Sequence, residues 1–105
     1  MTLKDDLIAA KVLIDSPDKW VKGMLRDGAR HCLLGAVEVV TEQTKQWPPN
    51  ERFTIATARL AEAIPDEWQT FTTFWFDQLP IYNDRAKTTH PDIMALFDRA
   101  IEAAP

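Results

Sequence analysis

A mainly α-helical domain, about five helices around one core with a small β-hairpin near residues 20–32, is the fold class this sequence predicts. Three observations predict it. Apolar residues recur at helical spacing along most of the chain, Ser, Thr, Asn and Pro punctuate the stretches, and the periodicity breaks between Trp20 and Cys32 around the hairpin dipeptide Asp27-Gly28. With 105 residues, 46% hydrophobic and 27% charged, the composition is that of one globular domain spanning residues 1–105. A chain of this size buries roughly 65% of the surface its unfolded form exposes.

Thr2 followed by Asp5 is a capping-box pattern, and Leu3, Leu7, Ala10 and Ile14 then mark a first helix down to Asp15. Ser16-Pro17-Asp18 ends it, because proline cannot continue the hydrogen-bond ladder. The hairpin that follows is too small to stand alone and must lie against the helices, with Trp20 as its anchor. Leu33, Val37, Val40 and Thr44 resume helical spacing until Trp47-Pro48-Pro49. Gly35, in the first turn of this helix, lowers its stability and therefore predicts a close approach by another backbone or ring, the hairpin being the candidate. Asn50 caps a third helix with the stripe Phe53, Ala56, Leu60 and Ile64, ended by Pro65. A fourth is expected from Asp66 and Glu67 to about Leu79, before Pro80, with the stripe Trp68, Phe71, Trp75 and Leu79 and with Trp75 as a core anchor. Ile81-Tyr82-Asn83-Asp84 then falls in a loop. Thr89 and Asp92 start the last helix, Pro91 being tolerated in its first turn, and Ile93, Phe97, Ala100 and Ala104 form its stripe.

Twelve Lys and Arg against sixteen Asp and Glu give a net charge of -4, which makes nucleic acid an unfavoured partner. Lys19, Lys22, Arg26 and Arg30 form a small cationic edge, with Asp18 and Asp27 interleaved. A solvated turn is the favoured reading of it and an anion-binding edge the minor one. The single cysteine, Cys32, cannot form an internal disulfide, so a reducing cytoplasm is the expected compartment. The first fifteen residues lack the pattern of a signal peptide, and no window has the ~20 apolar residues of a membrane span.

Catalytic signatures do not match. There is no H-E-x-x-H, G-x-S-x-G or C-x-x-C, and although Gly23 and Gly28 have phosphate-loop spacing, Ala29-Arg30 stands where Lys and Ser or Thr belong. Cys32 beside His31, with His90 and Asp84 elsewhere, leaves a small cysteine-dependent hydrolase or transferase as an alternative. A small buried side chain at the strand-to-helix junction is the preferred reading of Cys32. No catalytic residue, metal ligand or cofactor is assigned. Asn83 and Asp84 read first as side chains that satisfy turn backbone and second as recognition residues. Trp68, Phe71, Phe74, Trp75, Phe76 and Tyr82 crowd fifteen residues, more than one helix face buries. Either their helix is central or one flank, with Phe74 and Phe76, meets a partner. Ile8 and Val12 lie off the first stripe and make a second candidate surface.

The chain resembles a family of small bacterial and phage proteins of unknown function. The resemblance rests on Trp20 and Gly23 ahead of the turn glycine Gly28, on Cys32-Leu33 with Gly35-Ala36, and on Asn83-Asp84 followed by Thr88-Thr89, Asp92-Ile93 and Asp98-Arg99-Ala100. It spans roughly residues 7 to 101. The family's usual Trp-Asn-Asp triplet reads Tyr82-Asn83-Asp84 here, and residues 46–76 match little. The resemblance implies no activity; it supports the helical fold and raises Asn83 and Asp84 as residues of interest. The expected function is a non-enzymatic protein–protein interaction module, such as a phage- or prophage-type regulator or inhibitor of a host protein. A nucleic-acid-associated regulator using the basic hairpin is a further alternative. The candidate binding residues are Trp20, Arg26, Arg30, Phe74, Phe76, Tyr82, Asn83 and Asp84. The expected partners are a protein and a second copy of the chain, with no membrane.

Overall fold

In a computed structural model that describes residues 2–43, 48–69 and 75–105, five α-helices surround one core and a two-stranded hairpin lies on its side. The helices are α1 (Leu3–Leu13), α2 (Leu33–Val40), α3 (Glu51–Ala63), α4 (Gln78–Asp84) and α5 (His90–Ala103), and the strands are β1 (Arg26–Asp27) and β2 (Arg30–His31). Local chemistry starts the helices where the sequence places them. Thr2 and Asp5 close a reciprocal capping box on α1, Thr89 and Asp92 close one on α5, and the Asn50 side chain accepts from the Phe53 amide at 2.8 Å. Fully buried Leu7 and Ile14 from the α1 region, Leu33 and Val37 from α2, Leu60 from α3, Leu79 from α4 and Ile93, Leu96 and Phe97 from α5 form the core.

An ion pair fastens the outer ends of three helices. Asp6, buried on α1, receives Arg52 from α3 at 2.8 and 3.1 Å, and the same guanidinium donates to the Val40 carbonyl of α2 at 2.7 Å. The bidentate geometry suits a guanidinium fork and satisfies a carboxylate otherwise stranded in the interior.

The hairpin is antiparallel, Arg26 opposite His31 and Asp27 opposite Arg30, and Gly28 turns it at φ +62°. Trp20 bridges to His31 from outside, with the Val21 amide donating to the His31 carbonyl at 3.1 Å. The close approach expected at Gly35 is made by the hairpin's own backbone. A Cβ on Gly35 would lie 2.2 Å from the Leu25 carbonyl oxygen, which accepts from the Cys32 amide at 3.1 Å.

The expected fourth helix over Asp66–Leu79 is not formed as one element. Asp66–Trp68 and Trp75–Asp77 are separate 3-10 turns, and the fourth α-helix runs instead over Gln78–Asp84, carrying Pro80 in its first turn. Proline ends a helix from its interior but is tolerated near the start, where amide hydrogens have no intrahelical acceptor anyway. Pro80 thus belongs to a beginning, and Tyr82, Asn83 and Asp84 lie on a helix rather than in a loop. Phe71 and Phe74 lie outside the described residues.

Trp75 is 38% exposed, and so is no core anchor. Its indole donates to the Thr57 hydroxyl at 3.0 Å and its ring meets Phe76 edge-on. Because the Thr57 hydroxyl also donates to the Phe53 carbonyl at 2.8 Å, removing the indole strands no polar group. Trp75→Ala is therefore expected to lower the unfolding free energy by only about 1–2 kcal/mol, below the ~3–5 of a buried aromatic truncation. A denaturant melt checks it.

Candidate functional site

Three of the residues that carry the family resemblance, Trp20, Leu33 and Asp84, meet at the side-chain amide of a fourth, Asn83. Asn83 on α4 is fully buried, and its Oδ1 accepts from the Trp20 indole at 2.7 Å and from the Leu33 amide at 3.0 Å. Its Nδ2 donates to the Val21 carbonyl at 3.1 Å and to Asp84 Oδ1 at 2.9 Å. All four hydrogen-bonding positions of the amide are thereby used. Asp84 Oδ1 also accepts from the Gly23 amide at 2.8 Å, at a φ of +83° that favours glycine. One carboxamide and one carboxylate on α4 thus hold the segment entering the hairpin and the first turn of α2. The structural role expected of Asn83 and Asp84 is present, with partners 50 to 63 residues away along the chain.

Trp20 is half-buried, and two further side chains lie against its ring. The His90 ring is tilted against it at 5.9 Å, and Lys22 Nζ lies 5.6 Å from its centroid while donating to the Arg85 carbonyl at 2.5 Å. His90 Nε2 is 2.7 Å from the Ile14 carbonyl. His90 is therefore a structural link between the end of α1, the start of α5 and Trp20.

Cys32 is buried and caps α2, its Sγ accepting from the Gly35 amide at 3.3 Å. It lines a small cleft of about 220 Å³ with Gly23, Met24, Leu25, Pro80 and Asp84. Burial pushes the thiol pKa up; the Gly35 and Leu34 amides pull it down, and the Asp84 and Glu38 carboxylates add to the rise. A nucleophilic cysteine needs the opposite environment, a base or cation that stabilises thiolate. The Cys32 thiol is expected to react with iodoacetamide at pH 8 many times more slowly in the folded protein than in denaturant, and equal rates would contradict the burial. Among the described residues no group of three or more His, Cys, Asp and Glu side chains is placed to hold a metal ion.

His31 is 7% exposed, and its Nδ1 has no hydrogen-bond partner among the described residues. Burial foremost, then the nearby Arg26 cation, lowers its pKa, outweighing the Ala29 carbonyl. Its folded pKa lies below the unfolded value of 6.5, so the unfolded chain binds the proton more readily. The contribution of neutral His31 to stability is complete above about pH 6.5 and is lost as pH falls towards the folded pKa. Chemical melts between pH 7.5 and 5.5 should show declining stability, with a shallower decline in His31→Gln; parallel profiles would contradict this.

The remaining candidates are largely held within the fold. Arg30 pairs with Asp27 and Lys19 with Asp15 at 3.1 Å, while Arg26 Nε donates to the Gly28 carbonyl at 2.9 Å and Lys22 to the Arg85 carbonyl, so two of the four cations of the edge have a carboxylate partner. Tyr82 is buried, and Phe76 packs on Phe53 with ring centroids 5.9 Å apart. Phe74 lies outside the described residues. Two features are absent from the sequence reading: the exposed apolar group Met24, Leu25 and Val39, and a cationic pocket beneath α5. The first had a signal, since Met24 and Leu25 fit no helical stripe.

These features define a small helical domain in which Asn83 and Asp84 clamp a hairpin to the core. The chain belongs to a family of unknown function (DUF6197), which it matches over residues 1–103. No curated protein and no solved structure matches it. No helix among the described residues is long and apolar enough to cross a membrane.

Proposed function

We propose that the protein is a non-enzymatic protein–protein interaction module that receives an amphipathic helix of a partner on the hairpin–α2 face. The observation that carries this reading is the joint exposure of Met24 (52%), Leu25 (45%) and Val39 (50%) on elements the Asn83 centre holds in place. Leu25 and Val39 border a groove of about 260 Å³, with Arg26 and Glu38 among its charged residues. Apolar side chains exposed beside charges of both signs suit a helix that lays its apolar stripe in the groove and meets the rim with complementary charges. A regulator or inhibitor acting by occupying a partner's surface is consistent with that arrangement. The test compares quantitative affinity purification by the native protein with that by Leu25→Glu/Val39→Glu and by Ile8→Glu, each first shown to melt like the native chain. A protein retained by the native chain and Ile8→Glu, but lost from the double variant, supports the reading. Retention unaffected by the double variant, or no specific retention at all, overturns it.

A second surface favours self-association. Ile8 (43% exposed) and Val12 (56%) border a groove of about 580 Å³ between α1 and α5, together with Met94 and Ile101. The charges on the same groove are already matched within the chain, Lys11 with Asp98 and Asp15 with Lys19, so a second copy related by a two-fold axis can cover the apolar side chains without burying an unpaired charge. Light scattering should give a dimer mass that Val12→Glu reduces to a monomer; a monomer at high protein concentration excludes this interface.

A further inference from the structure

We propose that the pocket between the Asp66–Trp68 turn, the end of α4 and the outer face of α5 binds a phosphoryl group, as inorganic phosphate or a small phosphomonoester. Three cations, Arg85, Lys87 and Arg99, line this pocket of about 290 Å³. They gather on one spot of a chain whose net charge is -4, so their convergence does not reflect a basic composition. Arg85, Lys87 and Arg99 make no ion pair among the described residues, as is also true of Lys4, Lys22, Arg26 and Arg59, but these three share one pocket.

The donors are held in position. The Arg85 guanidinium lies 3.4 Å over the Trp68 ring, a stacking contact that fixes its plane without using any of its five N–H groups. Arg99 is tied by its Nε to the Ala63 carbonyl at 3.0 Å, which joins α5 to the end of α3. Tyr82, 4% exposed, also lines the pocket and presents a phenol hydroxyl to it. Thr88, 7% exposed, adds a hydroxyl to the pocket wall.

Two carboxylates also line the pocket and limit what fits. Asp92 Oδ2 is engaged in the α5 cap, accepting from the Thr89 amide at 2.9 Å and its hydroxyl at 3.0 Å, while Glu67 is exposed on the rim. Three cations with two hydroxyl donors exceed what a single carboxylate can accept, and match a dianion with three terminal oxygens. The volume exceeds that of the phosphoryl group alone and leaves room for a small ester substituent.

The test is a titration of the full chain at constant ionic strength with inorganic phosphate, phenyl phosphate and acetate, followed by amide chemical shifts. The expected result is saturable binding of one or both phosphates, with shifts centred on Thr88, Ala95 and Arg99. Tighter binding of phenyl phosphate identifies an ester as the ligand, and equal binding identifies the phosphoryl group alone; both support the site. Arg85→Gln/Lys87→Gln, which leaves the Arg99 tie to α3 intact, should weaken binding at least about tenfold, and Arg26→Gln less than about twofold. No saturation by either phosphate, equal binding of acetate, or equal loss in Arg26→Gln overturns the proposal.

Discussion

Replacing Asn83 by alanine is expected to lower the unfolding free energy by about 3–5 kcal/mol, a large share of the ~5–15 typical of a domain this size. The residue is fully buried, and its amide serves four partners at 2.7 to 3.1 Å: the Trp20 indole, the Leu33 amide, the Val21 carbonyl and Asp84. Alanine removes every one of those bonds while leaving two backbone groups and an indole N–H beside the vacated volume. Each buried group left unpaired costs about 1–3 kcal/mol, and the small cavity adds to it. Asn83→Asp is the sharper comparison, because it keeps the shape but turns the donating nitrogen into an oxygen facing the Val21 carbonyl and the Asp84 carboxylate. It too should be strongly destabilising. Denaturant unfolding of the variants decides; a loss within about 0.5 kcal/mol for alanine would make Asn83 a surface-type position, against its burial.

Gly35→Ala is the second large effect, expected to destabilise by about 2–4 kcal/mol even though alanine is the better helix former by up to about 1 kcal/mol. The added methyl would sit 2.2 Å from the Leu25 carbonyl oxygen, a backbone atom that cannot swing aside like a side-chain tip. Relief requires the hairpin to lift from α2, which strains the Cys32 amide bond to that same oxygen. The melt of Gly35→Ala therefore falls, while the amide shifts of residues 20–32 move together. A neutral or stabilising effect would mean that the hairpin yields freely.

The elements legible in the sequence are those specified by local rules. Thr2 with Asp5, Asn50, and Thr89 with Asp92 place an acceptor at a fixed offset from a helix start, so each declares its cap without knowledge of the rest of the fold. Gly35 was legible for a related reason: a glycine inside a helix needs a cause, and the Leu25 backbone supplies it. The region from Asp66 to Asp84 was not legible because Pro80 signals a helix end and a helix start with equal force. The chance spacing of Trp68, Trp75 and Leu79 imitated one face across two separate turns and a helix. For the site, the sequence showed that Asn83 and Asp84 have polar groups to satisfy, but it could not show their partners, which lie near the other end of the chain. The pocket of Arg85, Lys87 and Arg99 was hidden in the same way, since its Trp68 platform comes from a turn read as helix.

Amide hydrogen exchange at Gly23 and Leu33 reads whether Asn83 and Asp84 clamp the hairpin to the core. The Gly23 amide is bonded to Asp84 and the Leu33 amide to Asn83, so both should exchange only when that clamp opens. Leu33 should exchange with the free energy of global unfolding, Gly23 should lie close behind it, and Asn83→Ala should lower the protection of both together. Exchange of both amides through local opening, several kcal/mol below the global value and unaffected by Asn83→Ala, would contradict it.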